Sequence, residues 1–201
     1  MAAVSETIVR EYFELNGFLV RQQRKFVAPN RKPEEDDDVD FFLLNPQPRA
    51  SEGPLAFVLG SADLPLIHRA IVVVKGWHTE TFSTARLTNA PEILRFVEPK
   101  AFQHAIKAFG ADGMPLKILV IPGLPQSAKA REETISLLKA KGVDAVIPFR
   151  TMLATLIAET KTNRNYQKSD LLQIIRILKN YDLLKEPQLE LFKPARSRAR
   201  S

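Results

Sequence analysis

Apolar residues recur along the chain at two spacings, one helical and one alternating. In "SETIVREYFELNGF" Ile8, Val9, Tyr12, Phe13 and Leu15 follow the 3.6-residue period. The pattern predicts a helix with Ser5 as N-cap and Asn16-Gly17 as stop. "FLVRQQRKFV" (18–27) alternates instead: Phe18, Val20, Gln22, Arg24 and Phe26 share one face, and Leu19, Arg21, Gln23 and Lys25 the other. "VDFFLLNP" (39–46) is a short apolar strand with Asp40 as its one acid, closed by Pro46. Residues 46–66 are rich in Pro, Gly, Ser and Ala and look like an insertion, with "PLAFVL" as a short strand or helical turn. "RAIVVVKGWHTE" (69–80) holds the most apolar strand, four β-branched residues from Ile71 to Val74 ending at Lys75, Gly76 and the sole tryptophan, Trp77.

The second half alternates helices and strands. "NAPEILRFVEPKAFQHAIKAFG" reads as helix interrupted near Pro99. "LKILVIPGLP" (116–125) is a buried strand, "SAKAREETISLLKAKG" a helix capped by Ser127 and stopped at Gly142, and "VDAVIPF" (143–149) a further strand. "RTMLATLIAETK" and "KSDLLQIIRILKNYDLL" close the series as helices, the last with a broad apolar face. Three successive strands and then alternation predict an α/β protein whose mixed sheet, antiparallel first and parallel later, is flanked by helices. A pure Rossmann arrangement is disfavoured, because no G-x-G-x-x-G or Walker lysine loop is present. The expected organisation is a core over 1–150, a C-terminal helical extension over 151–192 and a disordered basic tail over 193–201.

Composition narrows the function classes. An apolar fraction of 45% and a charged fraction of 26% are those of a globular protein. No apolar run reaches the roughly 18 residues of a membrane span, and the N-terminus does not read as a signal peptide, so a cytoplasmic protein without a membrane partner is expected. The chain has no cysteine, which excludes disulfides, thiolate metal sites and cysteine nucleophiles. His68, His78 and His104 show no zinc-ligand spacing, and no serine stands in a nucleophile-elbow context. A net charge of +6 and a pI near 9.6 favour polyanionic partners.

Asp40 on the second strand and Lys75 at the end of the third form the one chemically suggestive pair. Adjacent strands lie about 4.8 Å apart, so both side chains can serve one cleft. An acid there can bind a divalent cation, and a lysine beside it can orient water or neutralise phosphate charge. Helix, strand, "VDFFLLNP" and "AIVVVKGWH" in this order resemble the PD-(D/E)xK nuclease superfamily, the restriction-endonuclease-like fold that includes Holliday-junction resolvases. The resemblance covers residues 5–125. It implies a restriction-endonuclease-like core, with Asp40 as metal ligand, Lys75 as the catalytic lysine, and Mg²⁺ or Mn²⁺ as cofactor if the protein is catalytic. The motif departs at its centre, where Val73 stands in place of the Glu of Glu-x-Lys.

Valine offers no lone pair, so either another acid replaces it or the site is inactive. Glu11 and Glu80 are the candidates for a second acid, with Glu14, Glu92, Glu98 and the run 34–38 also considered. Arg21, Gln23, Arg24 and Lys25 are candidate phosphate contacts, and Trp77 and His78 candidate base or sugar contacts. The competing reading for each is structural: a solvated sheet edge, a lysine snorkelling to water, a tryptophan covering the sheet. Three functions remain open. The chain is a nuclease-fold protein that binds DNA or RNA with a degenerate or rearranged site, an active metal-dependent endonuclease with a relocated acid, or a scaffold subunit. The last would meet a protein partner through the last helix, "LELF" (189–192) and the tail.

Overall fold

In a computed structural model of the full chain, residues 2–22, 39–50, 53–76, 78, 82–109 and 113–184 are described. The chain divides into two compact units, Met1–Leu156 and Ile157–Ser201.

The first unit is built on a five-stranded mixed sheet in the order β1-β2-β3-β4-β5. Helix α1 (Ala2–Leu15) leads into β1 (Leu19–Gln22), β2 (Phe41–Leu44) and β3 (Arg69–Val74), which pair antiparallel. After β3 come α2 (Thr84–Asn89), a 3₁₀ turn over Pro91–Val97 and α3 (Pro99–Phe109). β4 (Leu116–Ile121) and β5 (Ala145–Pro148) then add parallel to β3 in turn, joined by α4 (Ala128–Ala140). The order of elements and the change from antiparallel to parallel agree with the reading of the hydrophobic pattern. The interruption near Pro99 is a 3₁₀ turn meeting a helix, and each of its two pieces begins at a proline, where the missing N–H is no loss.

Period-2 alternation sorts the strand residues between two apolar layers. Phe42, Ile71, Val73, Leu119, Ile121 and Val146 pack with Leu87, Ile93, Phe96, Phe102 and Leu138 from α2, the 3₁₀ turn, α3 and α4. Phe41, Leu43, Ala70, Val72, Ile118, Val120, Ala145 and Ile147 are buried on the other face, where α1 lies against β1 and β3. Continuous apolar runs in β3 and β4 are what a sheet covered on both faces requires. The insertion is not idle: Val58 bridges Val146, with Leu59 N donating to Val146 O at 2.9 Å and Val146 N to Phe57 O at 2.7 Å. These bonds cover the β5 edge. A 3₁₀ turn over Ser61–Leu66 completes the insertion.

One expectation is corrected at the start of the chain. Ser5 is not the N-cap of α1, because the helix begins at Ala2 and carries Ser5 inside its buried stripe at 3% exposure. Packing outweighs the capping preference: Ser5 belongs to the i, i+3, i+4, i+7 series with Ile8, Val9 and Tyr12. The predicted stop holds, with Gly17 at φ +85°, a left-handed conformation that favours glycine. Ser127 and Gly142 likewise bound α4, Ser127 Oγ accepting from Ala130 N at 3.3 Å and Gly142 sitting at φ +90°.

Helix α5 (Phe149–Glu159) straddles the division between units. The second unit continues through a loop over 160–169 to α6 (Asp170–Asn180), whose N-cap Ser169 accepts from Leu172 N at 3.2 Å. Within this unit Lys179 Nζ donates to Ile157 O at 2.9 Å and Thr160 O at 3.0 Å, satisfying carbonyls that the end of α5 leaves open. Among the described residues no helix is long and apolar enough to cross a membrane.

Candidate functional site

β1 and β3 end, and β2 begins, on one edge of the sheet, because β2 runs antiparallel to both. The short α1–β1 turn returns the N-terminal part of α1 to that edge. Gln22 Nε2 at the end of β1 donates to Glu6 Oε2 of α1 at 2.7 Å. Asp40, Lys75 and His78 lie on the same edge, so the topology places the expected pair on neighbouring strand ends.

Asp40 holds an unusual place in the ladder. Asn45 N donates to His68 O at 2.8 Å. The register then makes 43/70 and 41/72 the next bonded pairs. One-to-one continuation would bond Val39 with Val74. Instead Asp40 N donates to Val72 O at 3.0 Å, and the Val74 N–H is taken by Asp40 Oδ2 at 2.7 Å. The carboxylate thus stands where a backbone carbonyl of β2 would have stood, as a side chain can where a strand leaves its regular pairing. On the other side of β3, Lys75 N donates to Val120 O at 2.9 Å, extending the β3–β4 ladder by one residue. Lys75 is half-buried, and alternation assigns it to the face of Ile71 and Val73.

Immediately after Lys75, Gly76 meets α1. A Cβ built there would lie 2.4 Å from Ser5 Oγ and 3.0 Å from Ser5 Cβ, so only glycine permits this approach. The contact sets the path of the chain leaving β3. His78 Nε2 and Ser5 Oγ are 3.2 Å apart, and the imidazole stands edge-on to the Phe149 ring at 4.5 Å between centroids. Ser5, read from sequence as a cap, is therefore part of the site; the Gly directly after a central strand was the signal for its close neighbour. A second polar cluster lies under α1, where the Tyr12 hydroxyl is 3.3 Å from Ser61 Oγ and Ser61 Oγ is 2.6 Å from Thr155 Oγ1. Burial pushes the Tyr12 phenol above its ordinary value; the Ser61 hydrogen bond opposes the shift and the Asp63 charge adds to it.

The remaining predicted residues sort unequally. Arg21 is exposed on β1, its guanidinium 5.8 Å from the Phe42 ring centroid, a cation–π contact on the face shared with Val73. Glu11 is buried on α1 with Arg10 3.9 Å away. It lies six residues, about 9 Å of helix, from Ser5, so α1 does not carry it to the strand ends. Glu14, Glu92 and Glu98 are exposed. Gln23, Arg24, Lys25, Trp77, Glu80, the acidic run 34–38, "LELF" and the tail lie outside the described residues.

Mg²⁺ or Mn²⁺ needs several oxygen ligands around one point. The described residues do not fit that demand. Val73 is 2% exposed inside the apolar layer, with no donor atom to offer. Asp40 accepts the Val74 amide through Oδ2, a bond that leaves a carboxylate further lone pairs, so the misfit lies in the missing second acid. Among the described residues no group of three or more His, Asp or Glu side chains stands close enough to hold an ion. What the edge offers is a lysine, a histidine and an exposed arginine beside ordered backbone. Comparison with family models, curated proteins and solved structures finds no match to this chain.

Proposed function

We propose that this chain is a restriction-endonuclease-like protein that binds nucleic acid through its sheet edge and has given up hydrolysis. The observation that carries the reading is the state of the acid pair. The position that the resemblance gives to the second carboxylate is a buried valine, which leaves Asp40, hydrogen-bonded through Oδ2 to Val74 N at 2.7 Å, without its partner acid. The helix-strand-strand-strand-helix-strand order and the antiparallel-to-parallel sheet support the fold assignment. Lys75, Arg21 and His78 supply cationic and hydrogen-bonding groups of the kind that hold a phosphodiester backbone.

The test combines binding and cleavage. Labelled DNA and RNA oligonucleotides should bind the full-length protein with an affinity that falls as salt rises. They should stay intact with Mg²⁺ or Mn²⁺ present. Lys75→Ala should weaken binding and leave cleavage at background. Metal-dependent cleavage that disappears in Asp40→Ala and Lys75→Ala would overturn the reading in favour of an active endonuclease.

A further inference from the structure

The net charge is not shared between the two units. Ile157–Ser201 holds ten lysines and arginines against five acids, a net of +5. Met1–Leu156 holds nineteen against eighteen, a net of +1. Fewer than a quarter of the residues therefore carry nearly all of the molecule's excess positive charge. Self-repulsion makes such concentration unfavourable unless something else stabilises it, and a polyanion is the natural counterpart.

Part of this charge is displayed on an ordered loop. Between Glu159 and Asp170 there is no acid, and Lys161, Arg164 and Lys168 are all exposed, together with Asn163 and Asn165. Hydrogen bonds inside the unit hold the loop. Lys161 N donates to the Tyr166 hydroxyl at 2.8 Å, Tyr166 N to Gln173 Oε1 at 3.3 Å, Ser169 N to Tyr166 O at 3.1 Å and Arg176 Nε to Thr162 O at 3.0 Å. Arg176 and Lys179 are engaged with backbone carbonyls. Lys161, Arg164 and Lys168 are exposed on a backbone whose ordering cost is already met. Six residues lie between the first of them and the last, so the three cations are spread along the loop.

We infer that the 160–169 loop is a sequence-independent grip on the sugar-phosphate backbone, with Lys161, Arg164 and Lys168 as phosphate contacts. Asn163 and Asn165 are its neutral hydrogen-bonding partners. This inference rests on the nucleic-acid reading and names a surface that the reading alone does not require. Three contacts carry a definite signature. Each phosphate neutralised adds about 0.9 to the slope of log affinity against log salt on duplex DNA, and about 0.7 on a single strand.

The experiment compares the full-length protein with the triple variant Lys161→Ala/Arg164→Ala/Lys168→Ala, using labelled duplex and single-stranded DNA of mixed sequence. The substituted side chains are exposed, so both proteins should show the same thermal midpoint. The variant's salt slope on duplex should be shallower by about 2 to 3, and wild type should lose about 40-fold more affinity than the variant over a fourfold rise in salt. Wild-type binding with an unchanged slope in the variant would overturn the loop as grip and leave the nucleic-acid reading standing. Absence of oligonucleotide binding by wild type would overturn that reading and the grip with it. Binding to anionic phosphatidylserine vesicles, lost in the triple variant, with none to oligonucleotides would assign the loop to a lipid surface instead.

Discussion

At the scale of single residues, Asp40 shows how one carboxylate can be read two ways. As a side chain at a strand start it matched a metal ligand; in the fold its Oδ2 closes the β2–β3 ladder on Val74. The two roles separate under substitution. Asparagine keeps a carbonyl acceptor, so Asp40→Asn should cost less than about 1 kcal/mol of stability. Alanine leaves the Val74 amide without that acceptor, so Asp40→Ala should cost about 1–3 kcal/mol by chemical denaturation. Equal losses in both variants would show that charge, and not the ladder bond, is what the position supplies. Tyr12 provides a pH test. Its phenol is raised by burial, so above about pH 10 the unfolded chain loses its proton first, and stability falls with rising pH until the folded phenol ionises. Tyr12→Phe should flatten that alkaline decline. A parallel decline in the variant would assign it to other groups.

At the scale of elements, the junction between α1 and the end of β3 orders the site. α1 reaches it because its apolar stripe lies on the sheet and its C-terminal turn at Gly17 is tight. Gly76 reaches it because it lacks a Cβ. Gly76→Ala should therefore destabilise by about 1–3 kcal/mol through overpacking against buried Ser5. The double variant with Ser5→Gly should recover part of the loss, as expected for directly coupled sites. Strictly additive losses in the denaturation midpoints would sink the contact as the cause. The strands and longer helices were legible from β-branched and aromatic runs and from glycine stops, whereas the six-residue α2 was too short to show a helical period. Ser5 was misread because a serine near a helix start looks the same whether it caps the backbone or packs in the stripe one turn later.

At the scale of the whole molecule, the units are secured to different degrees. β3 and β4 are central strands, bonded on both sides and buried on both faces. In the second unit α6 buries Leu172 and Ile175 but leaves Ile174 at 54% and Tyr181 at 74% exposure. Local opening needs little energy where few apolar contacts are broken. Amide hydrogen exchange should therefore be slowest over Ile71–Val74 and Ile118–Ile121 and faster by orders of magnitude over α6. Equal protection in the two would show that the molecule opens as one unit.

Hydrophobic periodicity by itself determined the order of the five strands and of the longer helices, since burial demands period 2 from strands and 3.6 from helices wherever a core forms. It did not mark the short α2 or the 3₁₀ form of Pro91–Val97. The resemblance to the nuclease motif, and not periodicity, singled out Val73, whose side chain has no lone pair in any fold. Only the tertiary structure decided that the Asp40 carboxylate closes a backbone ladder, that Glu11 stays with Arg10 away from the strand ends, and that Gly76 rests on Ser5. Those facts depend on which distant segments meet. Side-chain chemistry states what a residue can do; its neighbours select which of those things it does.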